Sequence, residues 1–443
     1  MPYPRHVNQR AVRALWFRIF CYGLFVFVLY FALRSIVPAS IRSSSRSSPK
    51  TPPHAPHAAF IPPQPTQQAA SRPLGQGNEW SQKARAVNAR AQEEERKAVE
   101  KAQAEAERLL SPLRIEGIIG TSIRSNEEAL RVRKIIDCMT RGSWVFDDTP
   151  RTLRKHLQDP IFGTCEKRFK KLDATQSQNK WNVPEFLKYI WKPADTCPLQ
   201  PVDREEWCKM MKGRDVLLVG DELQYQIHDL LLDAFRDGPT VCYGLLSCKG
   251  HTICPSEGTR VRYIRNDVLS HVKVNPSLEG GQPSVDIIQQ PWIRPGVTKA
   301  YRIMILNRGA HYQDDDAFRV GLAETLRELR EFHPDLLIIY RNTPIGHIGC
   351  NNATAPLARP PSAADLEDAP YHLADFARQN AIARVLVERA GGIYVDVAGM
   401  TGMRPDGHVG GRDCWRYCMP GPIDIWTTLF YNVMRLVSGE VAA

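Results

Sequence analysis

The sequence predicts an α/β fold: a three-layer α/β/α sandwich on a mainly parallel sheet, set behind an N-terminal membrane anchor and a disordered stem. Two observations predict the sandwich, and a third predicts what precedes it. Short apolar runs at Val216–Val219, Val241–Leu246, Ile303–Leu306, Leu336–Tyr340 and Ile393–Val397 have the length of buried strands. Helical patterns over Leu223–Phe235, Phe318–Phe332 and Leu373–Ala390 fall between several of these runs, and Gly391 and Gly392 are placed to end the last one. Strands alternating with helices imply parallel pairing, helices on both faces, and a site at the carboxyl ends of the strands. The third observation is a break in composition near residue 114, where the globular pattern begins.

Residues 19–33 form an uninterrupted apolar run, bracketed by Arg18 and Arg34 and extended by Ile36 and Val37. A membrane span needs about 20 apolar residues, and arginines at both ends extend a shorter run by snorkelling. Arg5, Arg10, Arg13 and Arg18 precede the run, which keeps the N-terminus cytoplasmic. The expected organisation is a cytoplasmic tail (1–13), a transmembrane signal anchor (14–37), a disordered Pro/Ser-rich stem open to O-glycosylation (38–78), a charged helical spacer (79–113) and a lumenal domain (114–443). That is a single-pass type II protein of the Golgi or another secretory membrane. A cleaved signal peptide is the alternative, and either reading puts the main domain in the lumen or outside the cell. Alanine supplies most apolar positions of 79–113, so a solvated helix is expected there, with weak self-association as the alternative.

Residues 1–110 hold 16 Lys/Arg against 7 Asp/Glu, whereas the rest hold 42 against 41. The net charge of +10 therefore belongs to the N-terminal extension. A near-neutral domain does not make a phosphate-binding surface, so no nucleic-acid partner is expected. Cys21 lies in the apolar run, and the other ten cysteines allow up to five disulfides in an oxidising compartment. Zinc is the rival reading for Cys248/Cys254 or Cys414/Cys418, but neither pair has a matching pair at zinc-ribbon spacing. No metal and no cofactor are expected. Asn352-Ala353-Thr354 is the one glycosylation sequon, to be used only if exposed.

Two segments carry the chemistry. The run Val216–Val219 enters a turn at Gly220-Asp221-Glu222, with Gln226 following. Near the C-terminus stands Asp413-Cys414-Trp415-Arg416-Tyr417-Cys418-Met419-Pro420-Gly421. With Cys138 to Asp147 (CMTRGSWVFD), Cys165 and Trp191 to Cys197 (WKPADTC), these segments resemble the trichome birefringence-like, or PC-esterase, family over roughly residues 130–435. The resemblance implies a membrane-anchored branch of the SGNH/GDSL hydrolase-like fold, associated with O-acetylation or deacetylation of cell-wall polysaccharides. It also implies serine-hydrolase chemistry, in which a serine of the Gly-Asp-Ser turn is acylated, a histidine takes its proton, and an aspartate three residues earlier orients that histidine.

Asp413 matches the aspartate, but Glu222 stands at the serine position and Arg416 at the histidine position. A carboxylate attacking an ester would give a mixed anhydride, and an arginine stays protonated and cannot act as a base. The two replacements carry opposite charge, so a charge-assisted Glu222–Arg416 contact is expected, with Asp413 as a second carboxylate on Arg416. Two independent surface residues are the alternative.

Further polar groups follow strands or lie in loops, where sites are built: Asn307 and His311, Arg341 and His347, and His408. They are candidates for binding substrate, beside the degenerate set Asp221, Glu222, Asp413 and Arg416. His228, within the first helical pattern, reads as structural. The expected protein binds a polysaccharide, a glycoprotein glycan or a partner enzyme through the old cleft, without serine-acyl catalysis. An active acyltransferase or esterase using displaced groups such as His311, His347 or His408 is the alternative. A Golgi glycosyltransferase with a metal-bound nucleotide at Asp314–Asp316 is a third reading.

Overall fold

The computed structural model describes residues 77–153, 165, 183–194, 196–235, 250–269, 287–293, 295–311, 314–411 and 413–438. The expected tail, anchor and nearly all of the stem lie outside these, as do the run Val241–Leu246 and Cys242 and Cys248. No described helix is long and apolar enough to cross a membrane.

A central six-stranded sheet has the order β4-β5-β3-β6-β7-β8. Its strands are β3 (Val216–Gly220), β4 (His251–Cys254), β5 (Thr259–Arg265), β6 (Ile303–Leu306), β7 (Leu337–Arg341) and β8 (Ile393–Val395). All neighbours pair in parallel except the edge strand β4, which runs antiparallel to β5. Strands buried on both faces need near-continuous apolar runs, and β3 is buried at every residue. Its alternate residues serve two cores. Val216 and Leu218 face one core, built with α2 (Asn126–Met139), α3 (Arg204–Met211), α4 (Glu222–Phe235) and α7 (Asp424–Ser438). Leu217 and Val219 face the other, built with α1 (Gly77–Leu109), α5 (Asp315–Phe332) and α6 (Phe376–Arg389). This is the expected sandwich of sheet between helix layers.

The chain leaves β3 to one side for β5 and returns to its other side for β6. The carboxyl end of β3 is therefore the point where strand order reverses, the position at which open α/β sheets bind ligands. Two antiparallel pairs flank the sheet, β1 (Gly142–Phe146) with β2 (Tyr189–Pro193), and β9 (His408–Gly410) with β10 (Asp413–Tyr417).

Helix α1 corrects the solvated spacer expected over 79–113. Ala98, Ala102, Ala106 and Leu110 recur along one face and are buried against α5 and α6. Alanine at this spacing lets helices approach closely, and charges flanking the stripe meet complements: Glu94 with Arg378, Lys101 with Asp316, and Glu107 with Arg389. The packed unit thus begins before residue 114.

Among the described residues, disulfides join Cys138–Cys197, Cys165–Cys418, Cys208–Cys254 and Cys350–Cys414. With Cys254, Cys414 and Cys418 each bonded elsewhere, neither zinc pairing survives.

Candidate functional site at the strand ends

The carboxyl ends of β3, β5, β6 and β7 converge. Gly220 closes β3 where only a residue without a side chain fits, since a Cβ there would stand 2.5 Å from Gln224 Cγ. Asp221 then starts α4. Its Oδ1 accepts from the Leu223 and Gln224 amides at 2.9 and 3.2 Å and from Arg341 Nη2 at 2.7 Å. Arg341, the last residue of β7, is fully buried, and its Nε donates to Gln224 Oε1 at 3.0 Å. Asn307, just past β6, donates to the Arg341 carbonyl at 3.2 Å and to Thr343 Oγ1 at 2.9 Å. These three residues frame the turn.

Glu222 sits at the first turn of α4 with its side chain 10% exposed. Its Oε1 accepts from Arg265 Nη2 at 2.6 Å. Arg265 ends β5 directly opposite Gly220 in the parallel pair, so strand register delivers its guanidinium to Glu222. The same guanidinium grips Asp267, with Nε to Oδ1 at 2.8 Å and Nη2 to Oδ2 at 3.1 Å. His311 Nε2 lies 3.4 Å from Glu222 Oε2 and 3.4 Å from Asp267 Oδ2. Burial would hold Glu222 neutral, but Arg265 and then His311 keep its carboxyl well below the usual range. Burial likewise disfavours a charged His311, yet Asp267 and Glu222 outweigh it and push its pKa up to about 9. Two carboxylates thus balance a guanidinium and an imidazolium. Glu222, Asp267 and His311 offer three ligand atoms within 4.8 Å of one another, but Arg265 occupies both carboxylates and no metal chemistry is built on them.

The second group lies on the β9–β10 pair. Arg416 Nε donates to Asp413 Oδ2 at 2.6 Å, while Asp413 Oδ1 accepts the Arg416 amide at 2.9 Å. Gln226, one turn after Glu222 on α4, brackets the Tyr417 backbone, donating to its carbonyl at 2.7 Å and accepting from its amide at 3.2 Å. That clamp fixes β10 against α4. His347 Nδ1 and His408 Nε2 are 2.7 Å apart. The outer nitrogen of each ring faces a carbonyl, His347 Nε2 at Gly402 (2.8 Å) and His408 Nδ1 at Arg416 (3.1 Å). Which nitrogen donates in each contact is set by the tautomers of the two rings. Burial pushes His347 down to about 4, so its ring stays neutral at pH 7.

No protein-family model matches the chain. It is 22% identical to the protein trichome birefringence-like 39 of Arabidopsis thaliana over 357 residues, covering 72% of this chain and 93% of that one. With trichome birefringence-like 42 of the same plant the identity is 22% over 339 residues, covering 66% and 88%. The chain is thus similar to trichome birefringence-like proteins over most of its length. A Salmonella lipopolysaccharide acetyltransferase periplasmic domain aligns at a TM-score of 0.29 with 12% identity, covering 53% of this chain and 90% of that one. A family two carbohydrate esterase from Clostridium thermocellum, solved with cellohexaose, aligns at 0.25 with 11% identity, covering 56% and 66%.

One expected pairing is corrected. Among the described residues Glu222 makes its ion pairs with Arg265 and His311, not with Arg416. Arg416 is neutralised within its own strand by Asp413. The expected charge compensation exists, but each half is satisfied separately. Arg265 and Asp267 were missed by sequence reasoning. The signal was Arg265-Asn266-Asp267 closing the segment Thr259–Arg265, whose charged Arg260 and Arg262 hid a strand.

The acidic triplet has structural duties. Asp314 caps α5 by accepting the Ala317 amide at 2.7 Å, Asp315 pairs with Arg378 at 2.5 Å, and Asp316 pairs with Arg319 at 2.5 Å. His228 is buried within α4, and burial pushes it down to about 3, as a structural residue.

Proposed function

We propose that this protein is a membrane-anchored, secretory-pathway relative of polysaccharide O-acetyltransferases and esterases that binds a glycan, or a partner enzyme, through the strand-end cleft without serine-acyl catalysis. The observation that carries the reading is the Glu222–Arg265 bond at 2.6 Å. The group at the nucleophile position is an ionised carboxylate held by a buried guanidinium. The group at the base position is a second guanidinium, held by Asp413 at 2.6 Å. Neither atom set can generate an alkoxide. The disulfides among the described residues support an oxidising compartment, and the basic-flanked run 19–33 supports the type II anchor.

A second reading rests on His311, whose raised pKa of about 9 leaves a proton available for donation at the cleft. It makes the protein an active enzyme with a displaced general acid. One experiment separates the two. The full chain is assayed for acetyl-ester hydrolysis, acetyl transfer and polysaccharide binding, beside Glu222→Ser/Arg416→His and His311→Gln. Glycan binding without turnover, with turnover appearing only in the double variant, is the expected result. Turnover by the unaltered chain that His311→Gln abolishes would establish the second reading.

A further inference from the structure

We infer that Asn352 carries an N-linked glycan at the margin of the β9–β10 pair. The sequence places adjacent asparagines at 351 and 352, and only the second begins an Asn-x-Thr sequon. The fold treats the two differently. The Asn351 side chain is committed, with Nδ2 donating to the Gly411 carbonyl at 2.8 Å and Oδ1 accepting the Gly411 amide at 2.6 Å. The Asn352 side chain makes no hydrogen bond among the described residues; its backbone amide alone is engaged, donating to the Gly349 carbonyl at 3.0 Å. Asn352 and Thr354 are both exposed. The segment is a short helical turn (Cys350–Asn352) tied to β10 by the Cys350–Cys414 disulfide. A sugar on Asn352 Nδ2 therefore displaces no packed side chain and breaks no bond of the fold.

The transfer balances with one co-reactant, a lipid-pyrophosphate-linked oligosaccharide of the secretory lumen. The amide nitrogen of Asn352 bonds to the anomeric carbon, the bond from that carbon to the pyrophosphate oxygen breaks, the amide loses a proton, and lipid pyrophosphate leaves. Cys414 and Arg416 are two residues apart on β10, so the disulfide and the Asn351–Gly411 clamp hold the first sugar beside the strand that carries Asp413 and Arg416. The inference shares the lumenal location with the proposed function but does not depend on what the cleft binds.

The test expresses the full chain in a eukaryotic secretory host and treats it with an endoglycosidase that cleaves N-linked chains. A mass drop of one glycan is expected for the unaltered chain, Asn351→Gln and Thr354→Ser, and none for Asn352→Gln or Thr354→Ala. A chain that is lumenal by protease protection, with its disulfides formed, yet shows no drop overturns the glycan while leaving the cleft reading standing. A chain whose main domain stays cytosolic overturns both.

Discussion

Arg265 Nη2 and Glu222 Oε1 stand 2.6 Å apart, between side chains 1% and 10% exposed. The contact joins the ends of two adjacent parallel strands, and Asp267 shares the same guanidinium. Removing one partner of a buried ion pair strands the other charge, at a cost of about 3–5 kcal/mol. Arg265→Leu leaves Glu222 and Asp267 to share His311 alone and is expected to destabilise by that amount. Glu222→Gln leaves Arg265 its Asp267 partner and is expected to cost less. Urea unfolding of both variants checks the order, and equal losses would show that Asp267 does not share the charge.

His311 gives the fold a dependence on alkaline pH. Its folded-state pKa, about 9, lies above the ordinary 6.5, so its contribution is complete below 6.5 and lost as pH rises through about 9. Stability is expected to fall between those limits, and His311→Gln to flatten that fall. The midpoint of urea unfolding, followed from pH 6 to pH 10, reads it directly.

The histidine pair makes a second pH test. Burial pushes His347 down to about 4, so it is expected to stay neutral at pH 7 with its proton on Nε2, facing the Gly402 carbonyl. Nitrogen-15 NMR of the imidazoles, followed from pH 7 to pH 4, reads its protonation. A His347 ring already doubly protonated at pH 7 would contradict this.

Helix α1 is expected to stabilise the domain it precedes. Ala102 is fully buried against its neighbours, whereas Ala104 is exposed. Leucine has nearly the helix propensity of alanine, so a loss at one position and not the other reports packing. Ala102→Leu is expected to cost about 1–3 kcal/mol by overpacking, and Ala104→Leu almost nothing. Chemical denaturation of the two variants gives the comparison.

The apolar runs at Val216, Ile303, Leu336 and Ile393 were legible as strands because each is buried on both faces. Strand β5 was not, because Arg260 and Arg262 interrupt its apolar residues near the sheet edge. Missing β5 meant missing Arg265, and hence the partner of Glu222. The stripe of Ala98, Ala102 and Ala106 was visible too, but its periodicity says only that the helix has a small-residue face, not what covers it.

Sequence alone determined the alternating α/β order, the strand-end location of the polar groups, and that a carboxylate at 222 and a guanidinium at 416 stand in the two motifs. Those are properties of residue type and local period. Tertiary structure decided which charge meets which: Arg265 reaches Glu222 through the register of β3 against β5, while Arg416 turns to Asp413 three residues away. A charge pairs with whatever opposite charge the backbone brings within hydrogen-bonding distance, and a contact between residues 43 apart in the sequence is invisible to any local pattern.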